Sequence, residues 1–205
     1  MQSIQIDKIK DYVRSNQSNK RYLHTLGVAD DTEKLCEIFN FDNERKHNLY
    51  CAALLHDVTK EMPESFHKFI CEKYNFTPEY GGFSSPTIHA VSGAFLAFEK
   101  YPNVIGEKEK NAIFYHTTGK ANMTVEEMII CLSDYMEPGR KYEGCKKIRQ
   151  KFYSELNELN KIPLLKECLC ESFDMTITSL ISCGDYIDSN TFTARNCLIC
   201  DLRKG

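Results

Sequence analysis

The stretch Ala52-Ala53-Leu54-Leu55-His56-Asp57-Val58-Thr59-Lys60 constrains this chain more than any other. An apolar helical run there delivers an imidazole and a carboxylate at adjacent positions, so both polar heads are expected inside the fold. Buried polar groups need partners, and neutral imidazole with carboxylate is a good donor set for hard to borderline divalent metals. The pattern predicts one helix that starts at Asp42-Asn43, carries His56 and Asp57, and closes at Pro63. A His-Asp pair alone is weak evidence. It gains meaning only if other ligands come from comparable settings.

With 205 residues, 42% of them hydrophobic, the chain can bury a substantial core. The formal net charge of -3 argues against a partner that is a nucleic-acid polymer, so phosphate binding must be local. No apolar run approaches the roughly 18–20 residues of a membrane span, and the charged, amphipathic start reads as a helix rather than a signal peptide. The ten cysteines are scattered, several on apolar helical faces. They are expected to be reduced core residues in a cytoplasmic protein, with Cys168-x-Cys170 and Cys197-x-x-Cys200 the pairs that a redox or zinc role would use.

Nearly every segment has the helical period, and none alternates convincingly as a strand. A helix over about 20–39 is expected to turn Leu23, Leu26, Leu35 and Ile38 inward, with His24 on its early turns. Thr124-Val125-Glu126-Glu127 matches a capping box, Pro138-Gly139 stops the helix it opens, and Gly184 closes a later one that starts near Pro163. The expected fold is an all-α bundle in a single domain over 1–205. Its core covers about 18–140, and C-terminal helices over 143–203 pack on it.

Four histidines and two aspartates stand out: His24, His56, Asp57, His89, His116 and Asp134. Each lies on or at the end of a helix with an apolar face, and each would otherwise need its own hydrogen-bond partner. Together they are candidate metal ligands. His47, in a charged stretch, and His67, on a mixed helix, are expected to be solvated.

The order His24, His56-Asp57, Asp134, with His89 and His116 between, resembles the HD-domain phosphohydrolases. Arg21-Tyr22-Leu23-His24-Thr25-Leu26, Tyr115-His116-Thr117-Thr118-Gly119-Lys120 and Ser133-Asp134-Tyr135-Met136-Glu137-Pro138-Gly139-Arg140 narrow the resemblance to the bacterial YqeK family. It extends from about residue 18 to Ala194-Arg195-Asn196. The resemblance implies an HD fold with a di-iron centre that hydrolyses diadenosine tetraphosphate to two ADP. By position, His24, His56, Asp57 and Asp134 would hold one ion, and Asp57 would bridge to a second held by His89 and His116. Manganese, cobalt or zinc also suit the mixed nitrogen and oxygen donors.

The chemistry is consistent with those residue types. Phosphoanhydride hydrolysis needs a nucleophile at neutral pH and neutralisation of an anionic chain, and a divalent ion lowers the pKa of its water towards about 7. Asp57, Lys60, His89 and His116 are the catalytic candidates, with Lys60 one turn beyond the pair. His24, Thr117, Thr118, Gly119, Arg140, Thr191, Arg195 and Asn196 are the substrate-binding candidates. Gly119 would free the backbone to approach phosphate, Arg140 would match its geometry, and the resemblance assigns the region 191–196 to ADP. Tyr115 and Tyr135 are expected to pack rather than stack on a base. Two rival readings stay open: another HD-type nucleotide phosphohydrolase, and a nucleotide- or metal-sensing module linked to NAD metabolism. The sequence does not decide between a monomer and a homodimer.

Overall fold

A computed structural model describes residues 2–79 and 81–204, with residues 2–4 by backbone alone. Among the described residues there are ten α-helices, one short 3-10 turn and no strand. In chain order they are α1 (Gln2–Asn16), α2 (Asn19–Ile38), α3 (Asn43–Leu55), α4 (Glu64–Lys73), α5 (Ile88–Lys100), α6 (Glu107–Phe114), α7 (Val125–Met136), α8 (Glu143–Glu155), α9 (Lys161–Cys183) and α10 (Ser189–Leu202). Four of the starts, those of α2, α3, α7 and α10, are set by side chains that satisfy free backbone N–H groups. Ser18 caps α2, Asp42 caps α3, and the Thr124/Glu127 capping box opens α7 as its sequence predicts.

Helix α3 is the hub. Leu49, Cys51, Ala52, Ala53, Leu54 and Leu55 are all fully buried, so the second half of this helix is enclosed on every side rather than on one stripe, while its first turn stays exposed. Helices α1, α2, α5, α6 and α7 pack around it, and α9 closes over α7 with α8 and α10 beside it. Apolar residues of the C-terminal helices, such as Phe152, Leu165, Leu169 and Phe173, join the same core as α3. Burying a side chain such as Leu54 is worth about 1.5–3 kcal/mol, which accounts for the apolar run over 49–55. No helix among the described residues is long and apolar enough to cross a membrane.

Three local expectations are corrected. The helix does not run on to Pro63: α3 ends at Leu55, and residues 56–62 form tight turns in which Val58, Lys60 and Met62 each donate to the carbonyl three residues back. The tightening lets Thr59 donate to the His89 carbonyl at 2.8 Å, and Gly93 lets α5 approach closely there, since a Cβ would meet Thr59 Oγ1 at 3.3 Å. His67 is buried, not solvated. It shares the inner face of α4 with Ile70 and Cys71, and its Nδ1 lies 2.8 Å from Ser92 Oγ. Leu23 points outward and is 59% exposed, because Thr25, Val28 and Ala29 form the buried face of α2 at that turn. His47 is half-buried, with Nε2 3.9 Å from Cys51 Sγ. Seven of the ten thiols are buried, and Cys183, Cys197 and Cys200 are not.

Candidate metal centre

Six side chains from five segments converge at the end of α3. His24 comes from the second turn of α2, His56 and Asp57 from the turn after α3, and His89 from the start of α5. His116 lies just past α6, and Asp134 sits in the last turn of α7. His56, Asp57, His89 and His116 are almost wholly buried.

Each of the four histidines at the centre has its Nδ1 tied outward. Nδ1 of His56 lies 2.6 Å from the Ala53 carbonyl, that of His89 2.8 Å from Pro86 O, and that of His116 2.7 Å from Ile113 O. His24 Nδ1 is 3.1 Å from Glu137 Oε1. A carbonyl at Nδ1 takes the proton there, which leaves Nε2 of His56, His89 and His116 as the lone pair. All four Nε2 atoms face the two carboxylates. His24 Nε2 lies 3.0 Å from Asp134 Oδ1, His89 Nε2 3.0 Å and His116 Nε2 3.6 Å from Asp57 Oδ1, and His56 Nε2 3.6 Å from Asp57 Oδ2. Neither His24 Nε2 nor His56 Nε2 makes an aligned hydrogen bond, although both are buried.

Orphaned, inward imidazole nitrogens beside carboxylates are what a bound cation satisfies, so the residues fit a metal. Two groups have donor atoms close enough to hold an ion: His24 with His56 and Asp134, and His56 with Asp57 and His116. Burial holds His56 and His89 down at about 4, so both are neutral ligands at pH 7. For His24, burial is outweighed by the neighbouring carboxylates of Asp134 and Glu137, which raise it to about 9, so its Nε2 carries a proton that a bound cation would displace. Asp57 stays well below the usual carboxylate range: burial opposes this, but the surrounding imidazoles of His56, His116 and His89 prevail.

Matches to a family model and to known proteins agree with this geometry. The HD-domain model covers residues 21–139, more than half of the chain. The chain belongs to the HD-domain family. Two HD relatives named symmetrical bis(5'-nucleosyl)-tetraphosphatase come from Bacillus subtilis and Staphylococcus aureus. The first is 28% identical over 91% of this chain and 94% of its own, the second 32% identical over 73% and 75%. A solved HD structure from Clostridium acetobutylicum, described as a predicted HD superfamily hydrolase involved in NAD metabolism, superposes with a TM-score of 0.82. It is 35% identical, covering 96% of this chain and 97% of that one. The YqeK-type resemblance of the motifs is thereby met over most of the chain.

Around the centre, cations are already placed. Lys60 Nζ sits 3.0 Å from His89 Nδ1, and burial lowers its pKa. Arg140 is held by Asp134, with Nη2 2.6 Å from Oδ1 and Nε 2.8 Å from the carbonyl. Two residues were missed as site residues by sequence reasoning. Arg21 donates to Asp57 Oδ2 at 2.7 Å, and Glu137 orients His24. Their spacing was a usable signal, since Arg21 is one turn before His24 and Glu137 one turn after Asp134.

The other expected substrate residues divide. Thr117 and Thr118 line a cleft with Phe76, Phe114, Tyr115 and Asn190. Tyr115 thus fronts that cleft, while Tyr135 packs, its hydroxyl 3.3 Å from Met175 Sδ. Gly119 has φ +63, but the space a Cβ would fill holds Phe173 and Ala194, so its missing side chain serves helix packing. Thr191 is buried at the start of α10. Arg195 is ion-paired to Asp174 on α9 at 2.7 Å and donates weakly to Asn196. The first turn of α10 reaches the cleft through Asp188 and Asn190 instead.

Proposed function

We propose that this chain hydrolyses dinucleoside tetraphosphates symmetrically, converting diadenosine tetraphosphate and water to two ADP. The observation that carries the reading is the set of four imidazoles with Nδ1 tied outward and Nε2 turned onto Asp57 and Asp134. The names of the curated relatives supply the substrate class.

His24, His56, Asp57 and Asp134 would hold one divalent ion, and Asp57 with His89 and His116 a second. When bound, such ions supply an activated water at neutral pH and neutralise phosphate charge. The protein's own groups do the rest. Arg140 and Arg21 bring guanidinium forks to the rim, matched to non-bridging phosphate oxygens. Lys60 stands beside His89 to offset charge on the departing phosphate. Thr117 and Thr118 border the cleft in which a base meets Phe76 and Tyr115. Attack at an inner phosphorus breaks the central anhydride bond, and each half leaves as ADP.

Iron is the metal we assign, on the YqeK resemblance and the mixed nitrogen and oxygen donors. A cytoplasmic setting is supported by seven thiols buried as ordinary core side chains. All six ligands lie on one chain, so a homodimer would be an addition rather than a requirement.

The test is anaerobic incubation of iron- or manganese-loaded protein with diadenosine tetraphosphate, with products resolved by ion exchange. ADP as sole product supports the reading. AMP plus ATP would move the point of attack, and no turnover with any metal would favour another nucleotide substrate. The name of the Clostridium relative makes nicotinamide dinucleotides the first alternative to try.

A further inference from the structure

The four imidazoles form a row. Ring centroids run from His24 to His56 at 5.6 Å, on to His116 at 4.9 Å, and from there to His89 at 5.2 Å. The cleft lined by Thr117, Thr118 and Tyr115 begins at the residues that flank His116, the third imidazole of the row. A separate groove of about 910 Å³ meets it at the His24 end, between the first turns of α2 and the segment that follows α7. The two share no lining residue.

That groove is cationic beside the centre and apolar further out. Arg21 and Arg140 stand against Asp57 and Asp134, with Lys20 and Lys141 beyond them. Its two acids are already engaged. Glu61 accepts from Ser18 N at 2.6 Å and Ser18 Oγ at 2.7 Å, and Glu137 takes His24 and the Gly139 N–H. At the groove's outer part lie two large apolar side chains in water, Leu23 at 59% and Tyr142 at 75% exposure. Leu23 is one turn from Lys20 on the same face of α2.

We infer that this groove is a second nucleotide subsite, taking one nucleoside diphosphate half of the substrate while the aromatic cleft takes the other. The inference rests on the proposed symmetrical cleavage. When the reacting phosphorus sits over the row, two equal halves must extend from it in two directions, and the groove at His24 and the cleft beside His116 are two such directions. The groove offers what one half needs in the right order, cations for phosphates next to the centre and then a hydrophobic pair for a base. Its volume lies within the range of small-molecule sites.

Equilibrium binding of ADP to the metal-loaded full chain tests this. The wild type is expected to bind two ADP per chain, and Leu23→Ser/Tyr142→Ala to bind one. Both positions are exposed, and an unchanged thermal melt checks that the variant is folded. Its KM for diadenosine tetraphosphate is expected to rise about tenfold, the scale of one lost base contact. A single ADP per wild-type chain, or two ADP on the variant, overturns the subsite. Two ADP on a wild type that fails to release ADP from diadenosine tetraphosphate would retain the subsite and remove the proposed reaction.

Discussion

Glu137 Oε1 lies 3.1 Å from His24 Nδ1, and Glu137 Oε2 accepts the Gly139 N–H at 2.5 Å. One buried carboxylate therefore holds both a candidate ligand and the turn that ends α7. The close approach depends on Gly27, where a Cβ would lie 2.6 Å from Oε2. Outer carboxylates of this kind fix the tautomer and orientation of a ligating histidine, and losing one costs about 10–100-fold in metal affinity. Glu137→Ala is expected to lose that much in a metal titration of the apo protein, and Gly27→Ala to reproduce part of it by displacing the carboxylate. Unchanged affinity in both variants would remove the orienting role.

Asp57 is the residue that the most ligands share. Its Oδ1 faces His89 and His116, its Oδ2 faces His56, and Arg21 stands on the outer side. Asp57→Ala should abolish turnover and reduce bound metal below one ion per chain. Far-ultraviolet circular dichroism should stay close to wild type, because α3 is held by apolar burial that ends at Leu55. Near-normal turnover in this variant would sink the two-ion arrangement.

Gly119 separates packing from phosphate contact. It needs φ +63, and an added Cβ would fall 2.5 Å from Phe173 Cζ and 2.8 Å from Ala194 Cβ. Backbone strain of about 1–3 kcal/mol and overpacking of similar size both apply. Gly119→Ala should therefore lower the melting temperature by several degrees and loosen α9 and α10, measured as faster amide exchange in those helices. A variant as stable as wild type, but with poorer substrate binding, would restore the phosphate role.

Asp31 offers a pH-dependent test away from the centre. It is buried on α2, accepts from Tyr153 on α8 through Oδ1, and leaves Oδ2 without a partner. Burial raises its pKa, partly offset by the Tyr153 bond and by Lys34 and Arg149. A raised carboxyl pKa in the folded state means that the ionised form costs stability above that pKa. Below the unfolded value of about 3.9 both states are protonated and the cost vanishes. Asp31→Asn keeps the Tyr153 acceptor and should gain about 1 kcal/mol at pH 7, or roughly 2–4 °C. The gain should shrink as pH falls towards 4, and a gain that is constant with pH would count against ionisation as its cause.

Much of the centre was legible because its residues carry chemistry that helical cores otherwise avoid. His24, His56, His89 and His116 each interrupt an apolar pattern, and Asp57 and Asp134 do the same, so their settings marked them as candidate ligands and the HD-domain resemblance grouped them into two sites. His67 shows the limit of that reasoning. Its neighbours Phe66 and Lys68 are one apolar and one charged, yet it lies in register with Ile70 and Cys71 and meets Ser92 on α5. Only the packing of α4 on α5 turns that face inward. Leu23 is the opposite case, an apolar residue in the expected pattern that the structure leaves in water beside the groove.

The sequence by itself determined the helical class, the capped starts of α2, α3 and α7, and the identity of six metal-ligand candidates. These are local properties: periodicity, a capping side chain and donor chemistry are all written within a few residues. The tertiary structure decided which nitrogen of each histidine faces inward, since the carbonyls of Ala53, Pro86 and Ile113 and the carboxylate of Glu137 claim the other one. It also decided that Gly119 serves α9 and α10, that Arg195 is committed to Asp174, and that Arg21 reaches Asp57 across 36 residues of chain. Such contacts join segments distant in sequence, and their geometry is set by how the helices pack around α3 rather than by any local pattern.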